Sequence, residues 1–191
     1  MRYLSIVLEK LESRKQANLK TYGDSNWKDK VTAIGGKAIT YDAIGNPLTY
    51  DGWTFTWKAG RMLASMVKSG TNAQFTYDHN GLRIKKVVNG VTTDYTLSGK
   101  NVVHMTQGGR DLHFFYDAQG KPGMVTYNDV DYFYVYNLQG DVVALIDANG
   151  TQVVEYGYDA WGNPISKTGS LAATIGTLNP FRYRGYTYLF Y

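Results

Sequence analysis

The sequence has no cysteine, only 4 prolines and only 3 histidines in 191 residues. Without cysteine there is no disulfide framework, no thiolate metal site and no thiol nucleophile, although export remains open. No apolar run approaches the roughly 18–20 residues that a membrane-spanning helix needs. Gly-x-Ser-x-Gly and phosphate-binding loops are also missing. What is plentiful is glycine, at 21 residues, and aromatic side chains, at 4 Trp, 17 Tyr and 7 Phe. With 43% hydrophobic and 19% charged residues the chain is no disordered tail. Many glycines among many tyrosines suit short strands with tight turns better than helices.

The net charge of +4 is unevenly spread: residues 1–100 hold 15 Lys/Arg against 8 Asp/Glu, and residues 101–191 hold 5 against 8. Most cations stand singly, and Lys85-Lys86 is the only adjacent basic pair besides Arg14-Lys15. A groove that tracks phosphates wants a denser stripe, so nucleic acid is not an expected partner and the basic residues read as solvated strand faces and turns.

Residues 1–20 differ from the rest. Leu4, Val7, Leu8 and Leu11 fall at helical spacing and predict a short amphipathic helix. As a signal peptide the segment fails, because the apolar stretch Tyr3–Leu8 is followed at once by Glu9-Lys10. From residue 21 to 191 one repeat dominates, an aromatic residue with glycine four positions later. Its good copies are Tyr41-Asp42-Ala43-Ile44-Gly45, Tyr77-Asp78-His79-Asn80-Gly81, Tyr116-Asp117-Ala118-Gln119-Gly120 and Tyr158-Asp159-Ala160-Trp161-Gly162. Weaker copies run from Tyr95 to Gly99, from Tyr136-Asn137 to Gly140 and from Ile146-Asp147 to Gly150, and Trp57–Gly60 is one residue shorter.

The spacing of these glycines is loosely twenty residues, the length of a hairpin plus its connection, but falls to 10 and 12 at Gly150 and Gly162. Asp bonds to the backbone two residues on, and Gly takes the positive φ that closes a hairpin; Asp51-Gly52, Asn89-Gly90 and Gly108-Gly109 add further turns. Two residues before each motif stand Ile39, Phe55, Phe75, Thr93, Phe114, Tyr134, Ala144 and Tyr156. Three residues after each glycine stand Leu48, Leu63, Ile84, Val102, Gly123, Val143, Val153 and Ile165. Both sets are expected on a buried face, since residues i and i+2 share a face. The fold class read from this is all-β, built from repeated antiparallel hairpins.

The Tyr-Asp-x-x-Gly units resemble the YD repeats of Rhs proteins, bacterial wall-associated proteins and teneurins. Tyr158-Asp159-Ala160-Trp161-Gly162-Asn163-Pro164, followed by Asn179-Pro180-Phe181-Arg182-Tyr183-Arg184-Gly185-Tyr186, is similar to the start of the Rhs-associated core. The resemblance covers roughly residues 21–188 and implies a sheet that spirals into a hollow shell, which in bacterial members encloses a C-terminal toxin. It implies a secreted or cell-surface parent protein, with the rest of the shell or an enclosed toxin polypeptide as partner. Further tyrosine repeats, self-cleaving aspartates and a toxin would follow in such relatives. The stop at Tyr191 therefore reads as a fragment, with strand edges that favour self-association.

No catalytic constellation, cofactor or metal site is expected. His79 falls in a turn, and His104 and His113 fall in strand-like stretches without a neighbouring histidine. Asp141, Asp147, Glu155 and Asp159 could form a glycosidase pair, but turn geometry already accounts for Asp147 and Asp159. The loops at Asp78 and Asp147 lack the remaining ligands of a calcium site. The working expectation is a non-enzymatic wall segment whose tyrosines pack a shell. Its alternative is a carbohydrate-binding surface with Trp53 and Tyr134 as stacking platforms. An outer-membrane barrel ranks last, since the strands look too short.

Overall fold

The computed structural model describes residues 20–185, so the helix expected over residues 1–20 lies outside the described residues except for Lys20, which is extended. The described chain is all-β, with sixteen antiparallel strands that follow one another in chain order. Its helical content is one turn at Ile175–Leu178 and a 3-10 turn at Tyr183–Gly185. Two compact units divide at residues 92 and 93.

The first unit contains β1 (Lys20–Tyr22), β2 (Val31–Ile34), β3 (Lys37–Tyr41), β4 (Pro47–Tyr50), β5 (Trp53–Lys58), β6 (Met62–Lys68), β7 (Thr71–Tyr77) and β8 (Arg83–Val88). Its core is laid down as cross-strand rows. Ile39 faces Tyr50, which faces Trp53, and Phe55 faces Met66, which faces Ala73. All six are buried. The opposite face carries hydroxyl pairs, with Thr40 bonded to Thr49 at 2.6 Å and Thr56 to Ser65 at 2.7 Å. Alternation of apolar and hydroxylated residues along each strand suffices to place these two faces.

The second unit contains β9 (Val91–Ser98, which the division crosses), β10 (Asn101–Gln107), β11 (Arg110–Tyr116), β12 (Pro122–Tyr127), β13 (Val130–Tyr136), β14 (Val142–Ile146), β15 (Gln152–Tyr158) and β16 (Pro164–Thr168). Tyr95, Met105, Leu112 and Tyr127 form one buried row; Phe114, Val125 and Tyr132 form the next, and Tyr134, Leu145 and Val154 a third. After β16 the chain folds back. Gly169, at φ +109, is where it turns, and a Cβ there would lie 2.4 Å from the Val153 carbonyl oxygen. No other residue type permits that approach.

Turns of two kinds alternate from β2 to β9 and again from β10 to β14, with one departure at β9–β10 and one at β14–β15. Two-residue turns close Gly35-Gly36, Asp51-Gly52, Asn89-Gly90, Gly108-Gly109 and Asn128-Asp129, with positive φ at both residues. That is the primed turn whose twist matches the flanking strands. The longer Asp-x-x-Gly turns join β3 to β4 and β7 to β8 in the first unit, and β11 to β12 and β15 to β16 in the second, where Asn137-x-x-Gly joins β13 to β14. Between β14 and β15 the Asp147 turn stands where a two-residue turn would otherwise come, which accounts for the glycine spacings of 10 and 12.

Two expectations need correction. Tyr95–Gly99 is not a copy of the turn. Tyr95 sits mid-strand in the core, and Ser98 pairs with Asn101 across a two-residue turn. The cause is Thr96, which stands where the repeat needs Asp or Asn. The residues three after each glycine are not a buried set, for only Leu63 and Val153 are buried. A bulge precedes the turn at Tyr41, Tyr116 and Tyr136, so Pro47, Pro122 and Val142, two after the glycine, turn inward instead. The residues two before each motif are all eight buried, Thr93 and Ala144 included.

Gly81 has φ +78, and a Cβ there meets nothing nearer than Met62 Sδ at 3.7 Å. Replacement is thus penalised by conformation rather than by a clash. Gly81→Val is expected to destabilise by about 1–2 kcal/mol in denaturant melts; a melt superimposable on the parent's would contradict the turn assignment.

Candidate functional site

Among the described residues no group of three or more His, Asp or Glu side chains could hold a metal ion. What recurs instead is a fastening built from the repeat itself. In the Asp42 turn the Asp42 Oδ1 accepts the N–H of Ile44 at 3.0 Å and of Asn46 at 2.8 Å. The Asp42 N–H donates to the Asn46 carbonyl at 2.9 Å, and the Gly45 N–H to the Asp42 carbonyl at 3.1 Å. The same four bonds close the turns that begin at Asp78, Asp117, Asn137, Asp147 and Asp159. The glycines of these turns have φ between +78 and +87.

A second side-chain bond tightens three of these turns. Asn46 Nδ2 donates to Asp42 Oδ2, and Asn163 Nδ2 to Asp159 Oδ2, each at 2.8 Å. In the third the partners are exchanged, and Asn137 Nδ2 donates to Asp141 Oδ2 at 2.7 Å. Partial burial pushes the carboxyls of Asp42 and Asp159 up, but the bonds from Asn46 and Asn163 and the neighbouring backbone N–H groups outweigh it. Both carboxyls lie below their ordinary value.

The tyrosine of each motif does a different task. Its hydroxyl donates to a backbone carbonyl near the start of the preceding strand: Tyr77 to Leu63 at 2.9 Å, Tyr116 to Val102 at 2.7 Å, Tyr136 to Pro122 at 2.5 Å and Tyr158 to Val142 at 2.8 Å. Tyr41 reaches the Val31 carbonyl at 2.5 Å. Trp57, the aromatic of the shortened copy, does the same through Nε1 to the Pro47 carbonyl at 2.6 Å. Burial pushes the Tyr116 hydroxyl up to about 12 against the bond to Val102, so the phenol stays a donor at neutral pH. Each hairpin is thereby buckled to the one before it.

In the second unit a further element lies against the buried face. Phe181 meets Phe114 edge-on at 5.1 Å and Tyr134 at 6.1 Å. Asn179, fully buried, accepts from the Tyr134 hydroxyl at 2.8 Å and donates to the Tyr156 hydroxyl at 3.3 Å and the Phe181 carbonyl at 2.8 Å. The Arg182 guanidinium lies 4.2 Å over the Tyr156 ring and donates to the carbonyls of Gly176 at 2.6 Å and Asn179 at 3.1 Å. The Arg182 carbonyl accepts from Val142 N–H at 3.1 Å, and Arg184 N–H donates to Asp141 Oδ1 at 2.9 Å. Every polar group in this latch has a geometric role, as a buried network requires. Asn179 and Arg182 were visible in the sequence only as part of a family motif; nothing local marks them as a core network.

The two rings nominated as sugar platforms do not offer a face. Trp53 and Tyr134 are each 8% exposed, Trp53 stacked beside Phe55 and Tyr134 against Phe181. Of the four acids weighed as a glycosidase pair, Asp147 and Asp159 cap turns and Asp141 binds Asn137 and Arg184 N–H. Glu155 accepts from the Thr168 hydroxyl at 3.4 Å. Lys86, read as part of a solvated face, is 1% exposed, and burial with Arg83 nearby brings its ammonium down to about 7. Lys86 faces Phe75 in the inward register of β7 and β8, which sets that burial.

The Teneurin YD-shell family model matches residues 8–178. Two relatives are each 36% identical over 182 residues. One is named tRNA3(Ser)-specific nuclease WapA, from Bacillus spizizenii, and the other tRNA nuclease WapA, from Bacillus subtilis strain 168. The match takes in 91% of this chain and 8% of each relative, so the chain spans a small part of their length. Among solved structures the Photorhabdus luminescens Tc holotoxin pore shares the fold, at TM-score 0.53 and 15% identity over 76% of this chain and 8% of that one.

The exchanged Asn137–Asp141 pair makes a clean test. Asp159→Asn sets an amide against the Asn163 amide and is expected to lower stability, while adding Asn163→Asp restores it, as read by denaturant midpoints. An additive loss in the double variant would show that the side-chain pair is not what matters. Because the folded Asp159 carboxyl lies below its ordinary value, its contribution is present above the carboxylate range and disappears as pH falls through the folded value.

Asn179→Ala removes the bridge between two buried phenols and is expected to cost about 2–4 kcal/mol. Amide exchange of residues 171–182 should rise before that of β10–β13. Unchanged protection there would mean that the apolar contacts of Phe181 hold the latch without the network.

Proposed function

The chain belongs to the Teneurin YD-shell family, and from that premise we propose that it is a wall segment of a larger shell whose work is containment, without catalysis. The observation that carries this reading is the buckle: the hydroxyl of each motif tyrosine secures its hairpin to the one before, so that within each unit neighbouring hairpins are tied together with one aromatic face buried. Such a fabric keeps backbone donors paired and excludes water and proteases from what it covers. The parent protein is secreted or displayed at the cell surface, and the enclosed material is a C-terminal toxin polypeptide. Strand edges such as β16, exposed along its whole length, pair with the rest of the wall or, in the isolated chain, with a second copy.

Grafting the chain in place of the equivalent stretch of the Bacillus subtilis relative tests this. The chimera is expected to keep its C-terminal portion resistant to trypsin, and Asp117→Ala with Asp147→Ala in the graft should open it to cleavage. Equal cleavage in both chimeras, or turnover of a substrate by the isolated chain, would overturn containment.

A further inference from the structure

Two of the three histidines, nine residues apart in sequence, are brought face to face by the Gly108-Gly109 turn. His104 on β10 stands directly opposite His113 on β11, the ring centroids 4.4 Å apart and the planes within 18°. Both lie on the solvent side of the sheet, alternating with the buried Met105, Leu112 and Phe114. The row continues outward to Thr96 on β9 and to Thr126 on β12. Asp111, two residues before His113, shares this face. Its Oδ1 accepts from the Thr106 hydroxyl and pairs with His104 Nε2, each at 2.9 Å.

Asp111 Oδ1 thus engages the Thr106 hydroxyl and His104 Nε2 at once. With Nε2 turned to the Asp111 carboxylate, Nδ1 is the His104 nitrogen that can take another ligand. A histidine anchored by a carboxylate through one nitrogen and free at the other is the arrangement that orients an imidazole for a metal.

We propose that His104 Nδ1 and an imidazole nitrogen of His113 form a two-nitrogen chelate for a divalent transition ion of the zinc, nickel or copper class. Asp111 and Thr106 serve as the outer shell, and water completes the coordination. Side chains directly opposite on antiparallel strands have Cβ atoms ~4.5–5.5 Å apart, a span that two metal–nitrogen bonds of ~2.0–2.1 Å bridge once the rings tilt from their stack. Imidazole donors select these ions over magnesium or calcium, which prefer oxygen. Elsewhere on strand faces of this kind two opposite pairs are simple hydroxyls, Thr40 with Thr49 and Thr56 with Ser65, so a sheet face needs no imidazole pair for its register. Asp94, opposite Thr106 in register, adds another carboxylate to the face and favours a cation there.

The test uses the chain without a polyhistidine tag, titrated with Zn2+, Ni2+ or Cu2+ by calorimetry while the three histidine ring signals are followed by NMR (Zn2+ for the spectra). One equivalent is expected to bind saturably, to move the signals of His104 and His113 together and to leave His79 as the internal control. Mg2+ should do nothing. His104→Thr or His113→Thr, which copy the hydroxyl pairs of other strands and so keep the sheet, should each weaken binding at least tenfold. Asp111→Asn should weaken it about tenfold while leaving the stoichiometry at one. Zinc should raise the melting temperature of the parent and not that of the double Thr variant. Affinity unchanged by both single variants, equal movement of His79, or no saturable binding would overturn the chelate.

Discussion

One acceptor oxygen holding two backbone N–H groups is the constraint on which the rest depends. Where an antiparallel chain reverses over a short loop, the N–H groups two and four residues into the turn point inward, away from any strand partner. Oδ1 of the first turn residue takes both, and glycine supplies the left-handed conformation three positions on. Charge is not what the turn requires, since the Asn137 amide oxygen makes the same pair of bonds and exchanges roles with Asp141. The corner needs a short side chain ending in an acceptor, and it tolerates either chemistry as long as its partner complements it.

The corner also decides where the tyrosine points. The bulge just before the turn rotates the aromatic side chain out of strict alternation and directs its hydroxyl toward a carbonyl near the start of the preceding strand. Each such bond is worth on the order of 1 kcal/mol, and no single one dominates. Stability in such a repeat is a sum of nearest-neighbour terms. The second unit departs from this economy of local bonds, for its Asn179–Arg182 segment joins residues 45 positions apart across the buried face. A local ladder and a long-range latch thus secure the same core in different ways.

Much of the architecture was legible because its determinants are local. Alternation gave the strands, and Asp/Asn-x-x-Gly together with the Asp-Gly, Asn-Gly and Gly-Gly pairs gave most corners. Residues two before each motif proved buried even where the polar Thr93 and the small Ala144 departed from the large apolar pattern, because strand parity outweighs side-chain type at a single position. Legibility failed wherever register entered. Asp147 looked like a weak copy because Ile146 replaces tyrosine, yet its turn is complete; Tyr95 looked like a copy yet heads no such turn. The expected inward set three after the glycine failed through the bulge, and Lys86 was misplaced because a basic pair gives no hint of which member faces inward.

Sequence alone therefore settled which segments extend and which reverse, since those choices rest on side chains within a few residues of one another. Tertiary structure decided which atoms meet: the carbonyl that each phenol reaches, the seat of Phe181 and Asn179, and the encounter of His104 with His113. A strand shifted by one residue presents its opposite face, so such meetings depend on turn lengths and bulges accumulated along the chain. No local pattern carries that count.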